Sequence, residues 1–231
     1  MPDRSAEARI AEYLEFARQR PELFRSDIGG VRILLEPDEI RDVEASVAAA
    51  LRRRGLPETG AEIGIVLHDP YMWFLRDAVE FPDGGRRAHL RSVNRIGNGA
   101  AVLPLLEGRI ALTRQFRHAL RRWSLEIPRG AMELGESPEQ AAAAEVREEI
   151  GGEIRELVPL GLLHSATHQH ANPIHIFFAH LNKVGAPQLA EGITSVEQVT
   201  VAEFERMVLA SDITDGVTVS VFAHARLRGL I

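Results

Sequence analysis

The segment of residues 130–152 carries the strongest local structural signals in the chain. Its glycine-bearing first part predicts a loop, and a helix start follows. Ser137 and Gln140 can form a capping box, and Pro138 suits the first helical position. A run of alanines favours continuation of the helix. Gly151 then offers the left-handed conformation in which helices commonly end. The sequence therefore predicts a loop followed by one helix that ends at Gly151.

Three glutamates crowd the end of this predicted helix. Glu145, Glu148 and Glu149 stand at positions i, i+3 and i+4, so their carboxylates share one face. Mutual repulsion and the negative end of the helix dipole both disfavour this arrangement, and a bound divalent cation reverses both effects. Hard cations such as Mg²⁺ prefer oxygen ligands. We therefore predict a Mg²⁺ site at these three residues, the alternative being a solvated acidic helix end.

The spacing of this segment resembles the Nudix box, in which a glycine, then a glutamate, then Arg-Glu-aliphatic-x-Glu-Glu-x-Gly-aliphatic stand in a fixed register. The positions that match are Gly130, Glu136, Glu145, Val146, Glu148, Glu149 and Gly151. Two positions depart from the pattern. Ala144 stands where the family has arginine, and Gly152 stands where it has an aliphatic residue.

The resemblance implies the Nudix fold, an α/β/α sandwich with a mixed sheet, and hydrolysis of a nucleoside diphosphate linked to another moiety. It implies Mg²⁺ as the cofactor, with Mn²⁺ able to substitute. Glu145 and Glu149 match the family's principal metal ligands and Glu148 its further acidic ligand, so all three are also catalytic candidates. Water would attack one phosphorus atom while the metal neutralises charge.

The residues before the box narrow the resemblance. Gln115-Phe116-Arg117, followed by Leu-Glu-Ile-Pro-x-Gly at residues 125–130, is similar to the ADP-ribose pyrophosphatase branch of the family. That likeness implies a nucleoside diphosphate sugar as substrate. It also implies Gln115, Arg117 and Arg129 as substrate-binding residues, with Arg117 donating charge-assisted hydrogen bonds to the diphosphate. The alternatives are a surface arginine on an edge strand for Arg117 and an exposed side chain for Arg129.

A general base is implied by the same branch, in which a loop before the penultimate strand carries a glutamate. Glu191 is the nearest match in this chain and Glu197 the second. The alternative for either residue is an exposed loop acid without a catalytic role.

Ala144 leaves a second class of function open. In the family the arginine at this position pairs with a neighbouring catalytic glutamate, and loss of such support commonly costs about 10–100-fold in metal affinity or activity. The chain could therefore be a nucleotide-binding sensor or scaffold with little turnover. Because the three box glutamates are all present, we expect an enzyme.

The composition of the chain excludes or disfavours several other classes of function. The chain has 231 residues, no cysteine and a net charge of −6, so thiolate chemistry is excluded and general electrostatic binding of nucleic acid is not expected. The N-terminal residues are too charged for a secretory signal, and no apolar run approaches a membrane span. We expect a cytoplasmic protein whose partner is a small molecule rather than nucleic acid or a membrane.

We predict two regions. Residues 1–65 read as a small helical α/β appendage of unknown role, with helices near residues 5–20 and 37–54. Residues 66–231 would form the Nudix domain, led by a strand hairpin at residues 73–96 that turns at Pro-Asp-Gly-Gly. Because this hairpin resembles an element that builds the dimer in the ADP-ribose branch, we expect a homodimer.

Four histidines cluster within residues 164–175: His164, His168, His170 and His175. Their spacing matches no compact zinc pattern, and no cysteine can assist. We expect polarity of a substrate loop or strand packing here, with a histidine metal site as the alternative.

Overall fold

The computed structural model describes residues 5–95, 97–187 and 192–231. The chain divides into two compact units: residues up to 95 together with 166–171, and residues 96–165 together with 172–231. The units thus divide after Arg95, whereas the predicted regions divide after residue 65. The leading hairpin packs with the N-terminal helices in the first unit, and the predicted boundary after residue 65 stays a prediction.

The first unit joins two helices to a small antiparallel sheet. Its elements are α1 (Ala6–Gln19), β1 (Arg32–Ile33), α2 (Pro37–Arg53), β2 (Gly64–His68), β3 (Met72–Glu80) and β4 (Arg86–Asn94), with short 3₁₀ helices at Pro21–Phe24 and Glu58–Ala61. Strand β3 is central and pairs with the other three described strands. The predicted hairpin is present, because the Phe81 N–H donates to the Gly85 carbonyl oxygen at 2.9 Å.

The core of the first unit lies between its helices and the sheet. Ile10 of α1 and Ile40 of α2 are buried there. Tyr13 is also buried, and its hydroxyl donates to Asp77, which accepts a second bond from the Arg91 Nε at 2.5 Å. Each buried polar group of this triad therefore has a partner within the unit.

The second unit is built on a mixed sheet. Its elements are β5 (Gly99–Leu106), β6 (Arg109–Arg117), β7 (Arg122–Glu126), β8 (Arg129–Ala131), α3 (Pro138–Ile150), β9 (Glu153–Leu163), β10 (Ile174–Lys183), β11 (Ile193–Thr200), α4 (Val201–Leu209) and α5 (Gly216–Leu227). The order is β11-β6-β5-β10-β9, with β7 paired to β6 and β8 to β5. Strands β5 and β10 run parallel, and the remaining described pairs run antiparallel.

Alternate residues of the central strand β5 face two different cores. Ala101 and Leu103 join one cluster with residues of α4 and α5, while Ala100 and Val102 join another with residues of α3. Period-two alternation on a sheet buried on both faces produces this division. One helix thus covers one face and two helices cover the other, which confirms the predicted α/β/α sandwich with a mixed sheet.

Among the helices that the structure describes, none combines the length and the apolar character needed to cross a membrane. On α5 the buried positions are Val217, Thr218, Val221, Phe222 and Ala225. Ser220 donates its hydroxyl to the Gly216 carbonyl oxygen on the exposed side of the helix.

Candidate active site

The helix of the predicted site begins and ends as its local signals indicate, whereas Gly130, predicted to lie in a loop, lies in the short strand β8. The Gln140 N–H donates to Ser137 Oγ at 3.2 Å, and the Ser137 N–H donates to Gln140 Oε1 at 2.9 Å, so the capping box is complete. Helix α3 ends at Gly151, which has φ +56°. A Cβ there would also lie 2.7 Å from the Ala186 carbonyl oxygen, so both conformation and space require glycine.

Glu145 lies directly against the short strand β8. A Cβ on Gly130 would lie 1.9 Å from Glu145 Oε1 and 2.6 Å from its Cδ. The carboxylate therefore occupies the space that any side chain at residue 130 would fill. This contact explains physically why strand β8 carries glycine at that position.

Glu149 lies against the neighbouring residue of the same strand. Its side chain is buried, with 3% of the residue exposed, and its Oε2 accepts a hydrogen bond from the Arg129 N–H at 3.1 Å. Glu145 and Glu149 thus place two carboxylates against adjacent residues, Gly130 and Arg129. The two carboxylates offer only oxygen atoms as metal ligands, which suits a hard divalent cation.

Glu148 is arranged differently from the other two glutamates. Its Oε1 accepts from Arg147 Nη2 at 2.6 Å, and 44% of its side chain is exposed. Within residues 5–95, 97–187 and 192–231, no three His, Asp or Glu side chains are grouped as a metal cage. Mg²⁺ is commonly held by one or two carboxylates together with substrate phosphates, so Glu145 and Glu149 fit it. The role of Glu148 as a ligand stays a prediction.

The structure shows what surrounds Gly152 and Ala144, the two residues that depart from the pattern of the Nudix box. A Cβ on Gly152 would lie 2.6 Å from Val146 Cγ1, so this structure has no room for the usual aliphatic residue. Ala144 lines a surface cleft of about 520 Å³ with Glu133, Glu136 and Arg147 among its other residues. The neighbouring Arg147 guanidinium pairs with Glu148 at 2.6 Å.

Arg117 is part of a buried ion-pair network centred on Glu126. The Glu126 side chain is 2% exposed and accepts from both Arg117 and Arg129, in each case from Nη2 to Oε2 at 2.6 Å. Arg117 Nε adds bonds of 3.0 and 3.1 Å to the two carboxylate oxygens. The two guanidinium groups therefore lie side by side on one carboxylate.

The charges in this network shift its pKa values. Burial by itself would raise the pKa of Glu126, but hydrogen bonds from Arg117 and the charge of Arg129 outweigh burial and lower the pKa to about 2. Burial would lower the pKa of Arg117, but its bond to Glu126 and the nearby charges of Glu126, Glu149 and Asp215 raise it overall. Glu126 and Arg117 therefore both remain ionised at neutral pH.

This network predicts a specific loss of stability in acid. A carboxylate whose pKa is lowered by folding stabilises the protein above its ordinary pKa of 4.5, and the stabilisation is lost as pH falls towards about 2. From pH 7 to pH 3 we expect the stability difference between the parent and Glu126→Gln to narrow by about 2 kcal/mol. Denaturant unfolding at both pH values measures it.

The matched control for the acid prediction is Glu205→Gln, which removes an exposed ion pair to Arg226 in the same unit. Its stability difference from the parent should be small at both pH values, because exposed pairs contribute little. A Glu126→Gln difference that is the same at pH 7 and pH 3 would contradict the assigned network.

Asp215 extends the network to the start of α5. Its Oδ1 accepts from Arg129 Nη2 at 3.0 Å, and its Oδ2 accepts from the Thr218 N–H and hydroxyl, each at 2.8 Å. Thr218 Oγ1 in turn accepts from the Ile127 N–H at 3.1 Å. One acid thus caps the helix and pairs with an arginine of β8.

The other predicted site residues have separate positions. Gln115 is buried, with 6% exposed, and lies two residues before Arg117 on the same face of β6. Its predicted role in substrate binding is not tested by this position. Glu191, predicted as the general base, lies outside the described residues. Glu197 pairs with Arg114 at 3.3 Å, on the face of the sheet opposite Arg117.

The histidines are held by several separate contacts. His170 Nδ1 lies 3.0 Å from Ser92 Oγ, and the His168 carbonyl oxygen accepts from His89 Nε2 at 3.1 Å, both within the first unit. His175 Nε2 lies 3.5 Å from Asn98 Nδ2 in the second unit. His164 is exposed.

Sequence reasoning gave no role to Glu126 or Asp215, the two acids that organise the arginines. Glu126 stands within an otherwise apolar run at residues 125–127, and a buried acid is rare unless it is paired. Asp215 precedes Thr218 by three residues, which is a helix-capping pattern. Both patterns are visible in the sequence, but neither identifies the arginine with which the acid pairs.

Comparisons with known proteins identify a matching family and similar relatives. A family model described as the NUDIX domain matches residues 96–215. ADP-ribose pyrophosphatase of Bacillus subtilis (strain 168) is 29% identical over 154 residues, covering 65% of this chain and 82% of that protein. ADP-ribose pyrophosphatase of Mycobacterium tuberculosis (strain ATCC 25618 / H37Rv) is 30% identical over 160 residues, covering 67% and 77%.

A solved structure supports the fold. The crystal structure of an ADP compounds hydrolase superposes with a TM-score of 0.61 at 22% identity, covering 72% of this chain and 91% of that one. At that identity the likeness concerns the fold alone. The family model, however, spans more than half of the chain and includes every glutamate of the box. This chain therefore belongs to the NUDIX domain family.

Proposed function

We propose that this protein is a Mg²⁺-dependent hydrolase that cleaves the diphosphate of ADP-ribose or a related nucleoside diphosphate sugar. The products would be a nucleoside monophosphate and a sugar phosphate. The observation that carries the proposal is the placement of Glu145 and Glu149 against β8 beside the paired guanidinium groups of Arg117 and Arg129. The names of the two pyrophosphatase relatives support the substrate class.

The acidic residues of the site would bind the cation, and the basic residues would bind the substrate phosphates. Glu145 and Glu149 would hold the cation, and Glu148 is the further acidic candidate. Bound Mg²⁺ would neutralise the diphosphate and orient its oxygens. Arg117 keeps 31% of its side chain exposed while its other side rests on Glu126. It can therefore donate charge-assisted hydrogen bonds to a phosphate without losing its support.

Several finer assignments belong to the same proposal. Gln115 and Arg129 would line the substrate site, Glu191 would act as the general base, and Mn²⁺ would substitute for Mg²⁺. The protein would form a homodimer through the hairpin of β3 and β4 and would work in the cytoplasm. The cytoplasmic location rests on the sequence composition, and the other assignments rest on the family resemblance.

The experiment that tests the function is a substrate panel on the purified chain. ADP-ribose, GDP-mannose, UDP-glucose and a diadenosine polyphosphate are incubated with and without Mg²⁺, and nucleoside monophosphate is measured. We expect Mg²⁺-dependent release from ADP-ribose or another diphosphate sugar. If no substrate yields product above the metal-free blank, the proposal fails.

The alternative function is tested by a binding measurement in addition to the substrate panel. Ala144 contributes no polar group to α3 where the family has arginine, and this departure favours a sensor with weak turnover as the alternative. Calorimetry that shows tight binding of ADP-ribose together with zero turnover would favour the sensor over the enzyme.

A further inference from the structure

Arg129 is bound through both its main chain and its side chain. Its N–H donates to Glu149 Oε2 at 3.1 Å. Its guanidinium donates to Glu126 Oε2 from Nε at 3.1 Å and from Nη2 at 2.6 Å, and Nη2 also contacts Asp215 Oδ1 at 3.0 Å. The residue therefore connects a predicted metal ligand to two anchoring acids.

The anchors of Arg129 are themselves fixed. Asp215 accepts two bonds from Thr218, and Thr218 accepts one from the Ile127 N–H, two residues before Arg129. Glu126 ends strand β7 and is buried. The short link between β7 and β8 is thus held at residues 126, 127 and 129. Such a closed set of bonds restricts where the Arg129 N–H can point.

The charge of Arg129 suits it to this anchoring role. Its guanidinium lies between two carboxylates, and 25% of its side chain is exposed. Two neighbouring acids compensate its single positive charge before any ligand arrives. Arg117, by contrast, shares one acid with Arg129.

From these contacts we infer that Arg129 is a positioning residue for Glu149. Its side chain, anchored on Glu126 and Asp215, fixes the main-chain N–H that orients the Glu149 carboxylate for the divalent cation. This role rests on the proposed function, since it requires that Glu149 binds the cation. Outer hydrogen bonds that orient a ligand commonly change metal affinity or activity by about 10–100-fold.

The test is a Mg²⁺ titration of the full chain by calorimetry, without any nucleotide. We expect Arg129→Ala to bind Mg²⁺ about 10–100-fold more weakly than the parent. The direction of the change in Mg²⁺ affinity is decisive, because loss of a nearby positive charge by itself would strengthen cation binding. Arg129→Lys, which keeps the charge and one donor, should recover part of the affinity.

Two further variants complete the design. Arg226→Ala removes a surface arginine of the same unit, paired with Glu205 and 51% exposed, and should bind Mg²⁺ as the parent does. Asp215→Asn keeps a helix-capping oxygen but weakens the anchor. Its effect on affinity should be non-additive with that of Arg129→Ala, because the two residues act through one contact.

The outcomes separate this inference from the proposed function. Parental or tighter Mg²⁺ binding by Arg129→Ala overturns the positioning role, whatever the chain hydrolyses. A parent that does not bind Mg²⁺ overturns it as well. A parent that binds Mg²⁺ but cleaves no substrate, with Arg129→Ala weakened as expected, removes the proposed function and supports the positioning role.

Discussion

Glu149→Gln is expected to reduce turnover by at least about 100-fold, more than the loss of a supporting contact would. Glutamine keeps the size of the side chain, and its amide oxygen can still accept from the Arg129 N–H. What it removes is the charge that holds a divalent cation. Turnover of a nucleoside diphosphate sugar with saturating Mg²⁺ measures the effect.

The same variant should fold as well as the parent. Glu149 is 3% exposed and lies near Glu145 and Glu148 at the end of α3, so a neutral side chain relieves both the repulsion and the unfavourable dipole interaction. Stability without metal should hold or rise by about 0.3–1 kcal/mol. Added Mg²⁺ should raise the melting temperature of the parent much more than that of the variant.

Glu139→Gln is the matched control, because it makes the same change at the exposed first turn of the same helix. It should retain parental turnover and a parental Mg²⁺-dependent rise in melting temperature. Parental turnover in Glu149→Gln would contradict the central assignment of the site.

The helix that carries the site was predictable because its signals are local. Ser137, Gln140 and Gly151 lie within a few residues of the structure that they determine, and each behaves in the structure as the sequence predicts. For this helix the local signals are sufficient to predict where it begins and where it ends.

The arrangement of the three glutamates was predictable only in part. At 3.6 residues per turn, Glu149 lies about 40° from Glu145 around the helix axis, and Glu148 about 60° away on the other side. The prediction that the three carboxylates share one face of the helix is therefore correct, but it does not specify the surroundings of each side chain. The structure turns Glu149 inward onto Arg129 and leaves Glu148 half exposed beside Arg147.

The network around Glu126 could not be assembled from sequence. Arg129 and Asp215 are 86 positions apart, and the sandwich brings them together by placing the start of α5 beside the link from β7 to β8. The division into compact units could not be predicted for the same reason, because β1 pairs with β3 across more than forty residues. Local patterns name the elements but do not specify which of them pair.

Gly130→Ala is expected to lower turnover by at least about tenfold with little loss of stability. The added Cβ would lie 1.9 Å from Glu145 Oε1, so the carboxylate must move away from β8. Because the obstructing atoms are the far end of a flexible side chain and the backbone φ is not positive, the fold can accommodate the change. A displaced ligand then binds the cation poorly.

Gly216→Ala is the matched control for this prediction, because a Cβ there meets nothing within 4 Å and its φ is not positive. It should keep parental turnover and gain about 0.4–1 kcal/mol, since alanine restricts the unfolded chain more than glycine does. Turnover and denaturant unfolding are measured on both variants. If Gly130→Ala retains full turnover and parental Mg²⁺ affinity, Glu145 does not hold the cation from the position it has against Gly130.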